Sequence, residues 1–97
     1  MGKLGYRYRF FQKTYTSSDN VKPLEPVPMV VFDADIEIQD ADIKFGNGSF
    51  MDGNASAGEV LNYDALNLHD FHIQNAVSGN NAKVVVSGIL IVEEVEK

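Results

Sequence analysis

Hydrophobic and polar residues alternate most clearly along residues 30–39. A period of two places successive side chains on opposite faces, so the pattern predicts a β-strand with one face toward a core. The expected inner face is apolar and the expected outer face is largely acidic. The inner face comprises Val30, Phe32, Ala34, Ile36 and Ile38, and the outer face comprises Val31, Asp33, Asp35, Glu37 and Gln39.

The alternation changes phase after residue 39, and a similar change recurs 30 residues later. Because side chains on a strand repeat every two residues, the first change predicts a bulge or sharp bend at Gln39 and Asp40. Residues 66–73 match residues 36–43 in pattern, with Asp70 in the place of Asp40. Two bent strands that cross between sheets, or two turns of a small solenoid, would both produce this repeat.

Two further strands are predicted near the ends of the sequence. Residues 4–11 alternate between aromatic and basic side chains, which predicts a strand. Residues 83–94 are apolar on both sides over most of their length. A strand of that kind lies in the centre of a sheet or has one face covered by a partner.

Frequent Gly and Asn turn clusters separate these segments, and no long stretch has helical periodicity. The sequence therefore predicts an all-β fold, a small β-sandwich or barrel of Greek-key or jelly-roll type with an extended basic N-terminal arm. A solenoid-like stack is the alternative. With 97 residues, a single domain is expected.

Three regions are distinguished within this domain. Residues 1–22 form a basic arm or first strand, residues 23–28 form a connector with three prolines, and residues 29–97 form an acidic β body. Proline fixes φ and lacks an N–H, so the connector is expected to be extended and to stay outside the sheets.

Charge is distributed unevenly along the chain, whose formal net charge is −6. Residues 1–30 hold five basic and two acidic side chains, a net +3, whereas residues 31–97 hold three basic and twelve acidic ones, a net −9. An acidic body repels phosphates, which disfavours nucleic acid as a partner. A basic arm and an acidic body can instead satisfy each other, within one chain or between copies.

No membrane partner is expected from the hydropathy pattern. The longest apolar stretch, residues 84–92, is about half of the roughly 20 residues that a membrane-spanning helix needs. The first residues lack the apolar core of a signal peptide, so the expectation is an intracellular protein at synthesis, with a virus particle as one further setting.

No catalytic, cofactor-binding or metal site is predicted. The chain has no Cys, and the common nucleotide-binding, hydrolase and metalloprotease motifs are absent. The carboxylates of Asp33, Asp35 and Glu37 would diverge too far along a straight strand to chelate one cation. His69, Asp70 and His72 could converge on a bent strand, but no third ligand or nucleophile is specified, and a polar outer face explains them equally well.

The spacing of charges predicts an interface instead. The two arginines of the basic arm repeat at the same two-residue interval as the acidic residues of the strand at 30–39. Neighbouring strands would then pair opposite charges, either within one body or by exchange of the arm between copies. The candidate interface residues are Tyr6, Arg7, Tyr8, Arg9, Phe10, Asp33, Asp35, Glu37, Ile89 and Ile91.

The sequence is compatible with three functions. The leading expectation is a non-enzymatic structural or assembly protein that acts as a homo-oligomer, such as an accessory subunit of a virion or another particle. The first alternative is an acidic inhibitor or adaptor that occupies a basic groove on a partner protein. The second is a ligand- or glycan-binding β-module whose stacking aromatics would be Tyr6, Tyr8, Tyr15 and Phe71.

Overall fold

The protein is all-β over the part of the chain that the computed structural model describes, which is residues 3–96 for the backbone and residues 7–91 for the side chains. Eight strands and no helix lie within that range. The strands are β1 (Lys3–Thr16), β2 (Lys22–Pro23), β3 (Val30–Gln39), β4 (Ile43–Gly46), β5 (Gly53–Ala55), β6 (Val60–Asn67), β7 (His72–Asn75) and β8 (Lys83–Glu96).

These strands form two antiparallel four-stranded sheets. The first has the order β1-β8-β3-β6 and the second has the order β2-β7-β4-β5. Among the described connections, only β4–β5 stays within one sheet, and every other connection crosses from one sheet to the other. The long strand predicted to be apolar on both sides, β8, is central in its sheet, and its Val84 and Val86 are fully buried.

Both sheets contribute to one buried apolar cluster. The first sheet supplies residues such as Ile36 and Val86, and the second supplies residues such as Ile43. Phe71, in the turn before β7, connects the two: its ring stacks on Phe45 of β4 at 5.3 Å between centroids and meets Tyr63 of β6 edge-on at 6.0 Å. Offset-stacked and edge-on geometries are the favourable ones for aromatic rings.

The bend predicted after β3 is present. Asp40 has a φ of 73°, a left-handed conformation that Asp tolerates better than most residues, and the chain then enters β4 in the other sheet. The repeat of this pattern, at residues 68–70, is a turn that carries the chain from β6 to β7, again between sheets. Both halves of the repeat are therefore sheet crossings and not solenoid turns.

The expected faces of β3 are wrong for its first three residues. Val31 is fully buried, whereas Val30 and Phe32 are 41% and 37% exposed. The reason is a bulge: Asp33 has a φ of 50°, and the register against β8 shifts between Phe32 and Asp35. One additional residue in a strand reverses the parity of the side chains that precede it.

The proline segment also departs from expectation. Lys22 and Pro23 pair with β7 as the edge strand of the second sheet, although the prolines were expected to stay outside the sheets. An edge strand tolerates proline because one of its sides needs no N–H donor. Leu24 and Glu25 are then buried against the body, at 7% and 6% exposure.

The first strand pairs with the last along its whole length, from Lys3 opposite Glu96 to Thr16 opposite Lys83. The pairing of β8 with β3 ends at Ile89. Beyond that point β8 pairs with β1 alone among the described residues, so residues 3–9 and 90–96 form a two-stranded ribbon.

Candidate interaction surface

Strand β1 exposes two aromatic side chains on one face. Phe10 is 95% exposed and Tyr8 is 73% exposed, although both lie where β1 is paired with β8. Phe11 and Tyr15, on the other face, pack against the core. Phe is usually buried in folded proteins, so an almost completely solvated Phe in a regular strand is unusual. This face of β1 is therefore a candidate contact surface.

Strand pairing extends these aromatics into an apolar surface. Ile89 lies opposite Phe10 on one side and opposite Phe32 on the other, and Ile91 lies opposite Tyr8. Directly opposed residues of antiparallel strands point to the same face of the sheet. Together these side chains form an outer apolar patch, which consists of Tyr8, Phe10, Phe32, Ile89 and Ile91.

An acidic groove of about 420 Å³ borders this patch. Phe10 and Ile89 line one part of it, and Asp33 and Asp35 line another. Asp35 accepts a hydrogen bond from the Asn62 side chain on β6. The surface thus combines an apolar half with a carboxylate-lined half, a composition suited to binding a polypeptide that carries both apolar and basic groups.

The acidic residues of β3 are exposed as expected, but their spacing is not uniform. The bulge at Asp33 separates it from Asp35 and Glu37, which follow on regular strand. Glu37 accepts a hydrogen bond from the Gln39 amide.

The arginines of β1 do not lie beside these carboxylates in the same chain. Strand β8 stands between β1 and β3, so Arg7 and Arg9 have no neighbouring strand position next to Asp35. Arg9 is exposed, and no acidic group of the described residues forms an ion pair with it. The side chain of Tyr6, the remaining candidate in β1, lies outside the described side chains.

A second polar cluster, which the sequence did not reveal, surrounds Glu25. Its carboxylate accepts hydrogen bonds from the Lys13 ammonium at 2.8 Å and the Tyr15 hydroxyl at 2.5 Å. These two bonds hold the pKa of Glu25 below its usual value against the opposing effect of desolvation. Burial, followed by the bond to Glu25 and its charge, raises the pKa of Tyr15 well above its usual 10.0. The cluster fastens the proline segment to β1.

A third cluster joins two loops at one end of the molecule. Asp19 accepts hydrogen bonds from the Gly79 N–H, the Asn75 amide and the Ser78 hydroxyl, which together lower the pKa of its carboxyl. Asn75 also accepts a hydrogen bond from the buried Ser17 hydroxyl. No buried side-chain donor or acceptor of the described residues lacks a partner, so the cluster is explained as a structural link between the β1–β2 and β7–β8 connections.

The remaining polar candidates do not converge. The His69 ring nitrogen contacts the Glu25 carbonyl oxygen at 3.1 Å, and the His72 ring nitrogen contacts the Asp70 carbonyl oxygen at 3.3 Å. Both histidines are therefore engaged with backbone. Asn47 accepts hydrogen bonds from two backbone N–H groups of its own turn and so has a structural role there.

Within the described residues, no group of three or more His, Asp or Glu side chains is arranged to hold a metal ion. The same part of the chain contains no helix that is long and apolar enough to cross a membrane. Comparisons with protein-family models, with curated proteins and with solved structures give no match to this chain.

Proposed function

We propose that this protein is a non-enzymatic structural protein that assembles with copies of itself, and that the outer apolar patch is its contact surface. The single observation that supports this most strongly is the exposure of Phe10, 95%, within a paired strand. Tyr8 and Ile91 continue the apolar surface along the ribbon. Contiguous exposed apolar surface of this kind typically marks a site of protein association, because leaving it in water is unfavourable.

The fold that fits the strand order is a jelly-roll β-sandwich. Eight strands in two four-stranded sheets with orders β1-β8-β3-β6 and β2-β7-β4-β5 support this assignment, since jelly rolls have eight strands in two sheets connected by two Greek keys. Jelly rolls occur in viral capsid proteins and also in lectins, so the fold favours neither a virion setting nor a glycan-binding role.

The acidic groove favours a second candidate, an adaptor that binds a basic partner protein. Asp33 and Asp35 line the groove, and Glu37, two residues after Asp35 in β3, is exposed. Attraction between exposed charges is screened beyond about 10 Å at 0.1 M salt. Binding to such a partner would weaken steeply with salt, whereas association through the outer apolar patch would not.

The test is the molar mass in solution, measured by size-exclusion chromatography with light scattering. The wild-type protein is expected to form an oligomer, and the double variant Tyr8→Ser/Phe10→Ser is expected to shift toward the monomer at equal concentration. Phe50→Ser is the matched control, because Phe50 is 71% exposed in the β4–β5 turn and outside the patch. A wild-type protein that stays monomeric at high concentration would contradict the proposal.

Residues 1–22 could also be deleted to remove Tyr8 and Phe10 from the patch, but substitution is the better test of assembly. Phe11 and Tyr15 of β1 pack against the core, and β1 covers one side of β8. Deletion of this strand would therefore disturb the fold together with the surface. Both serine variants change solvated side chains, and a thermal unfolding curve similar to that of wild type would verify that they fold.

A further inference from the structure

We infer that the free edge of strand β1 binds a second polypeptide, as an added strand in which acidic and apolar residues alternate. In the order β1-β8-β3-β6, β1 is an outermost strand, so one side of its backbone has no strand partner within the described chain. Such an edge accepts an extended segment through main-chain hydrogen bonds. This contact goes beyond the proposed function, because it uses the edge of β1 and joins a partner that is not a copy of this chain.

The register of β1 against β8 shows which backbone groups of β1 point outward. The Ser17 N–H donates to the Ala82 carbonyl oxygen at 2.9 Å, one position beyond the end of the ladder between the two strands. Directly opposed residues of antiparallel strands alternate between pairs that exchange hydrogen bonds and pairs that do not. The odd-numbered residues of β1 therefore direct their backbone groups to β8. The even-numbered residues, Tyr8, Phe10 and Gln12 among them, direct theirs to the free edge.

The two faces of β1 differ in chemistry along this edge. Tyr8 and Phe10 lie on the outer face, at 73% and 95% exposure. The basic residues share the other face, which is that of the core-packed Phe11. They are Arg7, Arg9 and Lys13. Because an added strand also alternates, its residues beside the aromatic side chains fit best if they are apolar, and those beside the basic side chains fit best if they are acidic.

Arg9 is the basic residue that an added strand would engage. Its side chain is exposed, and among the described residues no carboxylate forms an ion pair with it. Lys13 is bound to Glu25 at 2.8 Å, and Arg7 also has an interaction within the molecule. An acidic residue of the partner directly across from Arg9 would form a cross-strand pair of opposite charges, and such pairs are favourable.

The same pattern argues against a second copy of this chain as the occupant. Two β1 strands side by side would bring their basic faces together, and like charges across a strand pair are destabilising. Strand β6, the other edge of the sheet, has Asp64 on the same face as Val60 and Asn62, so its charge and its apolar side chain cannot meet the two different faces of β1. The edges of the second sheet are too short, because β2 has two residues, one of them Pro23, and β5 has three.

The probe is a fluorescently labelled hexapeptide of alternating Val and Glu with blocked ends, and its binding is measured by fluorescence anisotropy at pH 7. Wild-type protein is expected to bind it. Arg9→Glu is expected to bind it about tenfold more weakly, because a favourable cross-strand charge pair becomes a repulsive one. The same variant is expected to bind a hexapeptide of alternating Val and Lys more tightly than wild type does. Lys44→Glu makes the same charge change on an exposed position of the second sheet and is expected to bind both peptides as wild type does.

N-methylated peptides test the main-chain pairing with the wild-type protein, independently of the folding of any variant. The described strand pairs are all antiparallel, and the added strand is expected to pair in the same way. Directly opposed residues share a face, so the valines beside Phe10 are the residues whose N–H groups meet its outward backbone. Methylation of the valine nitrogens is expected to abolish binding, whereas methylation of the glutamate nitrogens is expected to leave it nearly unchanged.

The outcomes that contradict this inference are distinct from those that contradict the proposed function. Basic residues also protect strand edges from pairing, and a protein that binds neither hexapeptide would use them for protection alone, which overturns the inference. Equal loss of binding from both methylated sets overturns it as well, and so does binding that Arg9→Glu leaves unchanged. An oligomeric protein that fails to bind the Val–Glu peptide overturns the edge contact alone. A monomeric protein that binds the peptide overturns self-assembly alone.

Discussion

Gly88 of β8 lies directly against the backbone of Phe32 in β3. A Cβ atom added to Gly88 would stand 2.7 Å from the Phe32 carbonyl oxygen and would also overlap the Val31 side chain. This close approach occurs at the bulge, where β3 carries one residue more than β8. The absence of a side chain at residue 88 therefore allows the central strands to meet where their register shifts.

Replacement of this glycine is the first prediction. Gly88→Ala is expected to destabilise the protein by about 1–3 kcal/mol, the usual cost of forcing extra atoms into a packed site. The measurement is the free energy of unfolding in urea. Ser87→Ala, one residue away, is the control and is expected to change this free energy by no more than about 0.5 kcal/mol. Equal stability of the two variants would contradict the close approach.

The bulge itself provides the second prediction. Asp33 has a φ of 50°, a conformation that costs an L-residue roughly 1–2 kcal/mol and costs glycine little. Asp33→Gly is therefore expected to stabilise the fold by up to about 1 kcal/mol in urea unfolding.

The control for the bulge is the same substitution two residues later. Asp35 is in regular strand and accepts a hydrogen bond from Asn62, so Asp35→Gly is expected to be destabilising. Destabilisation of the same size by both substitutions would show that residue 33 is not held in the left-handed region.

The buried carboxylate of Glu25 gives a pH-dependent prediction. Glu25→Gln removes the charge that receives hydrogen bonds from Lys13 and Tyr15. Hydrogen bonds to charged groups contribute about 1.5–3 kcal/mol, and a loss of this size is expected in urea unfolding at pH 7. Glu59→Gln is the control, because Glu59 is exposed and an amide oxygen can still accept the bond from the Ser56 N–H.

The sign of the pH effect follows from the lowered pKa of Glu25. The folded state holds this carboxylate deprotonated at pH values where the unfolded chain, with the ordinary value of 4.5, already binds a proton. The stabilisation is thus present above about pH 4.5 and is lost as pH falls through the folded-state pKa. The stability difference between wild type and Glu25→Gln should narrow in acid, and a difference independent of pH would argue against the ion pair.

Much of the strand layout could be predicted from the sequence, because period-two patterns are local. The alternation over residues 30–39 and the doubly apolar stretch that begins near residue 83 match β3 and β8. The parity change at Asp40 also predicted a bulge or bend, and the structure has a bend there, where the chain crosses between the sheets. The bulge at Asp33 was missed because its neighbours, Val30 to Phe32, are all apolar and therefore fit either face.

The candidate surface was only partly predictable. Tyr8, Phe10, Ile89 and Ile91 were identified from their own strands, but Phe32 was assigned to the core. Its place beside Ile89 depends on strand order and register, which are set by contacts between distant parts of the chain. Likewise, nothing local to Glu25 indicates that Lys13 and Tyr15 will bury it.

The central position of β8 has a consequence for biosynthesis. The strand that β1 and β3 both require is the last of the eight to leave the ribosome. Until residues 83–96 emerge, the first sheet has a gap between two strands rich in aromatic and aliphatic groups, and long-range pairing of this kind folds slowly. The apolar residues of β1 and β3 are therefore open to misassociation until β8 emerges and fills the gap between them.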